Sequence, residues 1–224
     1  MIIVIPSIRE INFEYIKPLL NAHCKVIVVD DTDEERIKPN APNIQVLHYS
    51  DRKKLLGELE YCIPQKNGVC RDLGLLYAYL EGEKDELVIC LDDDCEVFDD
   101  YNEKAVNSLG QKELPLVETS QRFYNPLDLY QLDMDIYPRG FPYEDKGRTK
   151  DYSYTKTVKG NVVFTPGLWK GVFDFNAIDK LYLERFSFDN VSLRYHQVAV
   201  QKNALVSLCS MNMIRSRELI PAIY

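Results

Sequence analysis

The stretch Leu87-Val88-Ile89-Cys90-Leu91-Asp92-Asp93-Asp94-Cys95 sets the reading of the chain: an unbroken apolar run followed at once by three carboxylates. Apolar residues without alternation suit a strand covered on both faces, the usual state of a central strand in a parallel sheet. Three adjacent aspartates at its end repel one another. Two unit charges ~4 Å apart interact by about 4 kcal/mol at a surface-like effective dielectric. Protonation, a nearby Arg or Lys, or a bound cation is therefore expected to offset the repulsion. In an extended chain Asp92 and Asp94 project to the same side and together could hold a hard cation such as Mg²⁺ or Mn²⁺, which prefers oxygen ligands and often shares its shell with phosphates. Asp93 would point elsewhere, toward a ribose hydroxyl. The competing account is that the triplet caps a following turn or helix.

Upstream, Ile2–Ile5 is a short apolar strand, and a helical pattern is expected from Pro6-Ser7 through Leu20. Lys25–Val29 is a second strand, ending in Asp30-Asp31-Thr32-Asp33, and Ile44–His48 a third. Between Asn67 and Leu80 the apolar positions Val69, Leu73, Leu76, Tyr77 and Leu80 recur at helical spacing. Strand and helix alternating in this way predict an α/β fold with a mainly parallel, doubly wound sheet flanked by helices. Such sheets bind ligands beyond the carboxyl ends of their strands, and two of these strands end in acidic clusters. The second half is less regular. Phe141–Gly160 has no apolar period and reads as a long loop, Leu205–Cys209 as a buried strand, and a helix is expected from about Ser216. The expectation is a single domain over 1–224, in two halves at 1–100 and 101–224.

The chain has 224 residues, 46% hydrophobic and 28% charged, with a net charge of −8. No Lys/Arg run exceeds two residues, so a nucleic-acid partner is not expected. No apolar stretch is long enough to span a bilayer, and the start reads as a strand rather than a leader. Six cysteines without a CxxC pair fit reduced, buried thiols and a cytoplasmic protein. Histidines 23, 48 and 196 lack metal-site spacing. Absent G-x-S-x-G, P-loop and G-x-G-x-x-G patterns argue against a hydrolase, a P-loop NTPase and a dinucleotide enzyme.

Other candidates are weaker. Asp31 could hold a base or ribose edge, or the acidic cluster could cap a helix implied by Glu34-Glu35-Arg36. Arg71, near a helix start behind Lys66 and Gly68, could face a diphosphate or be an exposed helix charge. In Tyr137-Pro138-Arg139-Gly140-Phe141-Pro142-Tyr143 two prolines and a glycine hold one arginine among aromatic rings, which suits a phosphate or carboxylate; a rigid structural turn is the alternative.

Taken in order, several segments resemble the reversibly glycosylated polypeptide family, whose plant members are UDP-arabinopyranose mutases. They are Pro6-Ser7-Ile8-Arg9-Glu10, Val28–Asp33, Cys70-Arg71 with Gly74, Asp92-Asp93-Asp94-Cys95, Arg139-Gly140-Phe141-Pro142, Gly167-Leu168-Trp169, Arg194-Tyr195, Cys209-Ser210-Met211-Asn212 and Arg217–Ile220. The resemblance implies a glycosyltransferase A-type fold, with 1–100 as a nucleotide-binding half and 101–224 as a sugar or acceptor half, a UDP-sugar substrate and a Mn²⁺ or Mg²⁺ cofactor on Asp92 and Asp94. It implies nucleotide contacts from Pro6, Arg9, Asp31, Arg71 and Asp93, and catalytic roles for Arg139 and for Asn212, beside the sugar. Leu132 departs from the pattern: the family has there a second arginine, reported as the sugar-accepting one. Family members also continue beyond the segment matching Asn212. A pyranose–furanose mutase, a glycosyltransferase acting on an external acceptor, and a non-catalytic partner in a homo- or hetero-oligomer therefore all stay open.

Overall fold

The computed structural model describes residues 1–224 apart from 23, 33, 146–149, 168–173, 176, 184–190, 208–211 and 224. In chain order the elements are β1 (Ile2–Ser7), α1 (Lys17–Asn21), β2 (Lys25–Asp30), β3 (Ile44–Leu47), α2 (Tyr49–Leu56), α3 (Cys70–Glu81), β4 (Leu87–Leu91), α4 (Tyr101–Ser108), β5 (Gly110–Glu118) and β6 (Phe123–Tyr124). They continue with β7 (Ser153–Val162), β8 (Phe164–Pro166), α5 (Ala177–Leu183), β9 (Ala199–Val200), β10 (Leu205–Val206), β11 (Asn212–Ser216) and α6 (Ile220–Ile223). These gather into two compact units. The first is residues 1–109, 162–167 and 210–224, and the second is 110–161 and 168–209.

The first unit is a six-stranded sheet in the order β3-β2-β1-β4-β11-β8. The β1–β2, β2–β3 and β1–β4 pairs are parallel, and β11 runs antiparallel to both β4 and β8. The sheet is thus mixed, with a parallel core of four strands. Ile2, Ile3, Val4, Val26, Ile27, Val28, Val29, Val88, Ile89 and Cys90 have no solvent exposure. Burying one such Val or Ile contributes about 1.5–3 kcal/mol, so these strands carry the unit. Pro6 lacks an N–H, and β1 tolerates it because the β1–β4 pairing covers only Ile2–Val4. Helix α3 lies so close to β1 and β2 that a Cβ added at Gly74 would come 2.5 Å from Val4 Cγ1 and 2.8 Å from Val29 Cγ2.

Several expectations need correction. The helix expected through Leu20 is only a 3-10 turn at Phe13–Ile16 followed by α1. The Asn12 side chain accepts from Glu14 N and starts the turn, and Pro18 sits in the first turn of α1. Glu34-Glu35-Arg36 form no helix, and none follows them before β3. The expected loop at 141–160 contains most of β7, whose residues are largely exposed; an edge strand without a core face shows no apolar period. Over the described residues 205–207, β10 covers only Leu205–Val206 and Leu205 is 48% exposed, so this part is not the buried strand expected. Cys209 lies outside the described residues.

The second unit has a three-stranded sheet β7-β5-β9 and a parallel pair β10–β6. Leu127, Tyr130, Ile136, Phe175 and Leu183 form its apolar cluster, with Leu132 and Met134 packed against it.

Candidate functional site

In the first unit the chain runs from β1 outward to β2 and β3, then returns through α3 to β4 on the other side of β1. The carboxyl ends of β1 and β4 therefore border a topological switch point, where open α/β sheets place ligands. Ser7 closes β1 and Arg9 follows it, and the aspartate triplet follows β4.

The triplet does not continue the strand. Cys95 N donates to Asp92 O at 3.2 Å, closing a turn. The same-side projection expected for Asp92 and Asp94 in an extended chain does not apply, because β4 stops at Leu91. Arginines organise the three carboxylates instead. Arg9 holds Asp93 in a fork, with Nη2 2.5 Å from Oδ1 and Nε 3.1 Å from Oδ2, and reaches Asp94 Oδ2 at 3.1 Å. Ser7 Oγ donates to Asp93 Oδ2 at 2.5 Å. These Asp93 bonds, joined by those to Asp94, hold the Arg9 pKa above its ordinary value. Arg71, in the first turn of α3, donates through Nη2 to Asp92 Oδ1. Neighbouring arginines thus offset the repulsion among the three carboxylates.

Asp92 is about one-third exposed and Asp94 62% exposed, whereas Asp93 is only 11% exposed. Two part-exposed carboxylates beside a ligand crevice are the donor set that Mg²⁺ or Mn²⁺ uses when phosphate and water complete the shell. The donor chemistry fits such a cation. Among the described residues, no group of three or more His, Cys, Asp or Glu is arranged to hold a metal by itself.

Asn212 opens β11 opposite Leu91, so the sheet register sets it beside the triplet. Tyr101 O–H donates to Asn212 Oδ1 at 2.6 Å. Burial pushes the Tyr101 phenol well above its ordinary pKa, which keeps it a donor. Gly167 N donates to Asn212 O at 2.6 Å, and a Cβ at Gly167 would collide with the Asn212 amide. Sequence reasoning gave no site role to Ser7 or Tyr101. Leu168, Trp169 and Met211 of the matching segments lie outside the described residues, as does Asp33.

Asp31 is 1% exposed, with its carboxylate turned inward. Oδ1 accepts from Arg52 Nη2, and Oδ2 from Lys66 N at 2.5 Å. Arg52, also 1% exposed, donates Nη1 to Ile63 O at 2.5 Å. The pair pins the segment leading into α3, and thereby the base of Arg71. Arg52 was missed because it sits in the charged run Asp51-Arg52-Lys53-Lys54, which reads as a solvated face. The neighbouring Asp30 is also buried and accepts from Thr32, Ile37 N and His48. The amides at the start of α3 bond locally, Val69 N to Asn67 Oδ1 at 3.2 Å and Cys70 N to Asn67 O at 2.9 Å.

Arg139 belongs to the second unit. Its backbone N donates to Asp174 O at 2.8 Å, and Nη2 lies 2.8 Å from Asp174 Oδ1. The side chain is 72% exposed, whereas its sequence neighbours Tyr137 and Phe141 are buried.

These features define an α/β protein with an arginine-held acidic site at the switch point of its sheet. The chain belongs to the family described as "Reversibly glycosylated polypeptide", whose model matches residues 1–224. It is 31% identical to UDP-arabinopyranose mutase 2 of Arabidopsis thaliana over 99% of this chain and 58% of that protein. UDP-arabinopyranose mutase 1 of Arabidopsis thaliana gives the same figures, and UDP-arabinopyranose mutase 1 of Oryza sativa subsp. japonica is 29% identical over 99% of this chain and 57% of its own length. The chain spans somewhat under three-fifths of the length of these relatives.

Proposed function

We propose that this chain carries the metal-dependent UDP-sugar site of a cytoplasmic pyranose–furanose mutase with a glycosyltransferase A-type fold. The observation that carries the proposal is the pairing of Ser7 and Arg9 at the end of β1 with the Asp92–Asp94 turn after β4, at the switch point. The relatives' names supply the substrate, a UDP-arabinopyranose-like nucleotide sugar. No helix among the described residues is long and apolar enough to cross a membrane.

In this reading Asp92 and Asp94 hold Mn²⁺ or Mg²⁺, which when bound neutralises diphosphate charge. Arg9 and Arg71, now on the carboxylates, turn part of their donor capacity to the phosphates. Pro6 shapes the β1 exit, Asp31 holds the Lys66 segment below the nucleotide, and Asp93 anchors Arg9 while offering the ribose an acceptor. Asn212, its amide oriented by Tyr101, binds sugar hydroxyls. Arg139 stabilises the charge left on UDP as the sugar–phosphate bond breaks.

Titration calorimetry with UDP and Mn²⁺ tests the site. Affinity should fall at least tenfold in Asp94→Ala, roughly the loss of one charge-mediated contact. Metal-dependent binding that is unchanged in the variant overturns the proposal. Incubation with UDP-arabinopyranose then tests the reaction, with the furanose form as expected product. Leu132, packed in an apolar cluster where the family carries its second arginine, favours a second reading: transfer to an external acceptor, seen as sugar transfer without furanose. Absence of any UDP binding would leave a non-catalytic role in a homo- or hetero-oligomer.

A further inference from the structure

The second unit contains a cleft of about 320 Å³, at the small end of the range for ligand pockets. Its apolar lining includes Leu127 and Ile136, both buried, with Leu132 and Met134. Its polar lining includes Asp128, Lys150 and Arg194. These polar groups are held in place. Lys150 Nζ lies 3.0 Å from Asp128 Oδ1 and 2.8 Å from Asp135 Oδ1, while Tyr154 O–H donates to Asp128 Oδ2 at 2.9 Å. The Arg194 guanidinium lies 5.5 Å from the centre of the Tyr154 ring, and its backbone N donates to Leu129 O at 2.7 Å.

Charge and polarity narrow the ligand. The cations Lys150 and Arg194 share the lining with the carboxylates Asp128 and Asp133, so the cleft has no net positive charge to draw an anion. A phosphate would meet two carboxylates. A purely apolar ligand would strip water from Asp128 and Lys150 without replacing their hydrogen bonds. A neutral ring with hydroxyls on one face and C–H groups on the other satisfies both surfaces: hydroxyls donate to Asp128, accept from Arg194, and the C–H face lies on Leu132 and Met134. The geometry points to a saccharide site in this cleft, taking one neutral pentose or hexose ring. It goes beyond the proposed function, since it stands on the second unit alone and not on the strand-end site.

The test is saturation-transfer NMR on the full chain, with the methyl glycosides of arabinose, xylose and glucose at millimolar concentration. Transfer to the ring protons of at least one glycoside is expected, and it should persist when UDP and Mn²⁺ are added in excess. Arg194→Ala, at an exposed position, should bind that glycoside about tenfold more weakly, as loss of one charge-assisted hydrogen bond would give. Leu132→Trp, which fills the cleft, should abolish transfer; if it fails to fold, Arg194→Ala decides. No transfer from any of the three glycosides overturns the inference. Transfer that UDP suppresses and Arg194→Ala leaves unchanged also overturns it. Calorimetry of UDP with Mn²⁺ on the same variants keeps the two sites distinguishable, because Arg194→Ala should leave UDP affinity as it was.

Discussion

Arg52 and Asp31 form an ion pair in which each residue is only 1% exposed, and each also binds backbone of the segment leading to α3. The arginine lies on Tyr49, its guanidinium 5.1 Å from the ring centre. A charge removed from water this completely depends on its partner.

Arg52→Met is therefore expected to destabilise the protein by about 3–5 kcal/mol, because Asp31 is left buried without its counter-ion. The double variant Arg52→Met, Asp31→Leu should recover part of that loss. Urea unfolding followed by circular dichroism gives the comparison. Equal loss in the single and double variants would contradict the pairing.

Arg9 and Asp93 should behave as a coupled pair of more modest strength. Arg9 is 59% exposed, so solvent screens the fork, and a coupling of about 1 kcal/mol or less is expected. A double-mutant cycle with Arg9→Ala and Asp93→Asn measures it. Strict additivity would show that the two do not interact in solution.

Gly167→Ala puts a methyl group into the Asn212 amide. Overpacking of this kind costs about 1–3 kcal/mol, and relief by swinging Asn212 away would break its bond from Tyr101. Under the proposed mutase activity, turnover of UDP-arabinopyranose should fall with UDP affinity little changed. The Tyr101→Phe variant should show the same separation in weaker form.

Acid should loosen the second unit through Asp151. Its carboxylate accepts from Ser120 Oγ at 2.5 Å, from Ser120 N at 2.7 Å, and from Thr119 Oγ1. The Ser120 and Thr119 hydroxyls, with the Ser120 amide, hold its pKa below the ordinary value. A depressed folded-state pKa stabilises the fold above the unfolded-state value, about 3.9, and the contribution is lost as pH falls through the folded value. Asp151→Asn should lower the unfolding midpoint at pH 6 and change it much less near pH 3. An equal effect at both pH values would rule this linkage out.

Cysteine reactivity should separate by burial. Cys62 is exposed. Burial pushes the Cys70 and Cys95 thiols up to about 11 and raises that of Cys90. A short iodoacetamide pulse at neutral pH, read by peptide mass spectrometry, should modify Cys62 well before Cys70, Cys90 or Cys95. Early labelling of Cys95 would mean that the turn after Asp94 opens readily.

The parallel core was legible because its strands are unbroken apolar runs: Ile2–Ile5, Lys25–Val29, Ile44–His48 and Leu87–Leu91 coincide closely with β1 to β4. The period from Asn67 to Leu80 likewise marks α3. Strand β11 was hidden by Arg215, a charge in the middle of a short segment, yet that residue is wholly buried with Nη2 3.4 Å from Cys90 Sγ. Strand β7 was hidden for the opposite reason, since an exposed strand needs no apolar face. In the candidate site, the aspartate triplet and Arg71 were readable from their place at element ends. The inward turn of Asp31 was not, because nothing in Asp51-Arg52-Lys53-Lys54 distinguishes the one side chain that is buried. Nor does local sequence say that Asn212 will pair opposite Leu91.

That late strand gives synthesis of the chain a definite order of events. Arg215 and Cys90, neighbours across β11 and β4, are 125 positions apart. At roughly 5–20 residues per second, translation needs on the order of ten seconds to travel that far. Throughout that interval a nascent chain that has formed β1 to β4 shows the ribosome exit and its chaperones the bare flank of β4, an apolar strand with unused amides and carbonyls. Until residues 212–216 arrive, that edge is open to pairing with any other strand, and a translational pause before residue 212 would prolong the exposure.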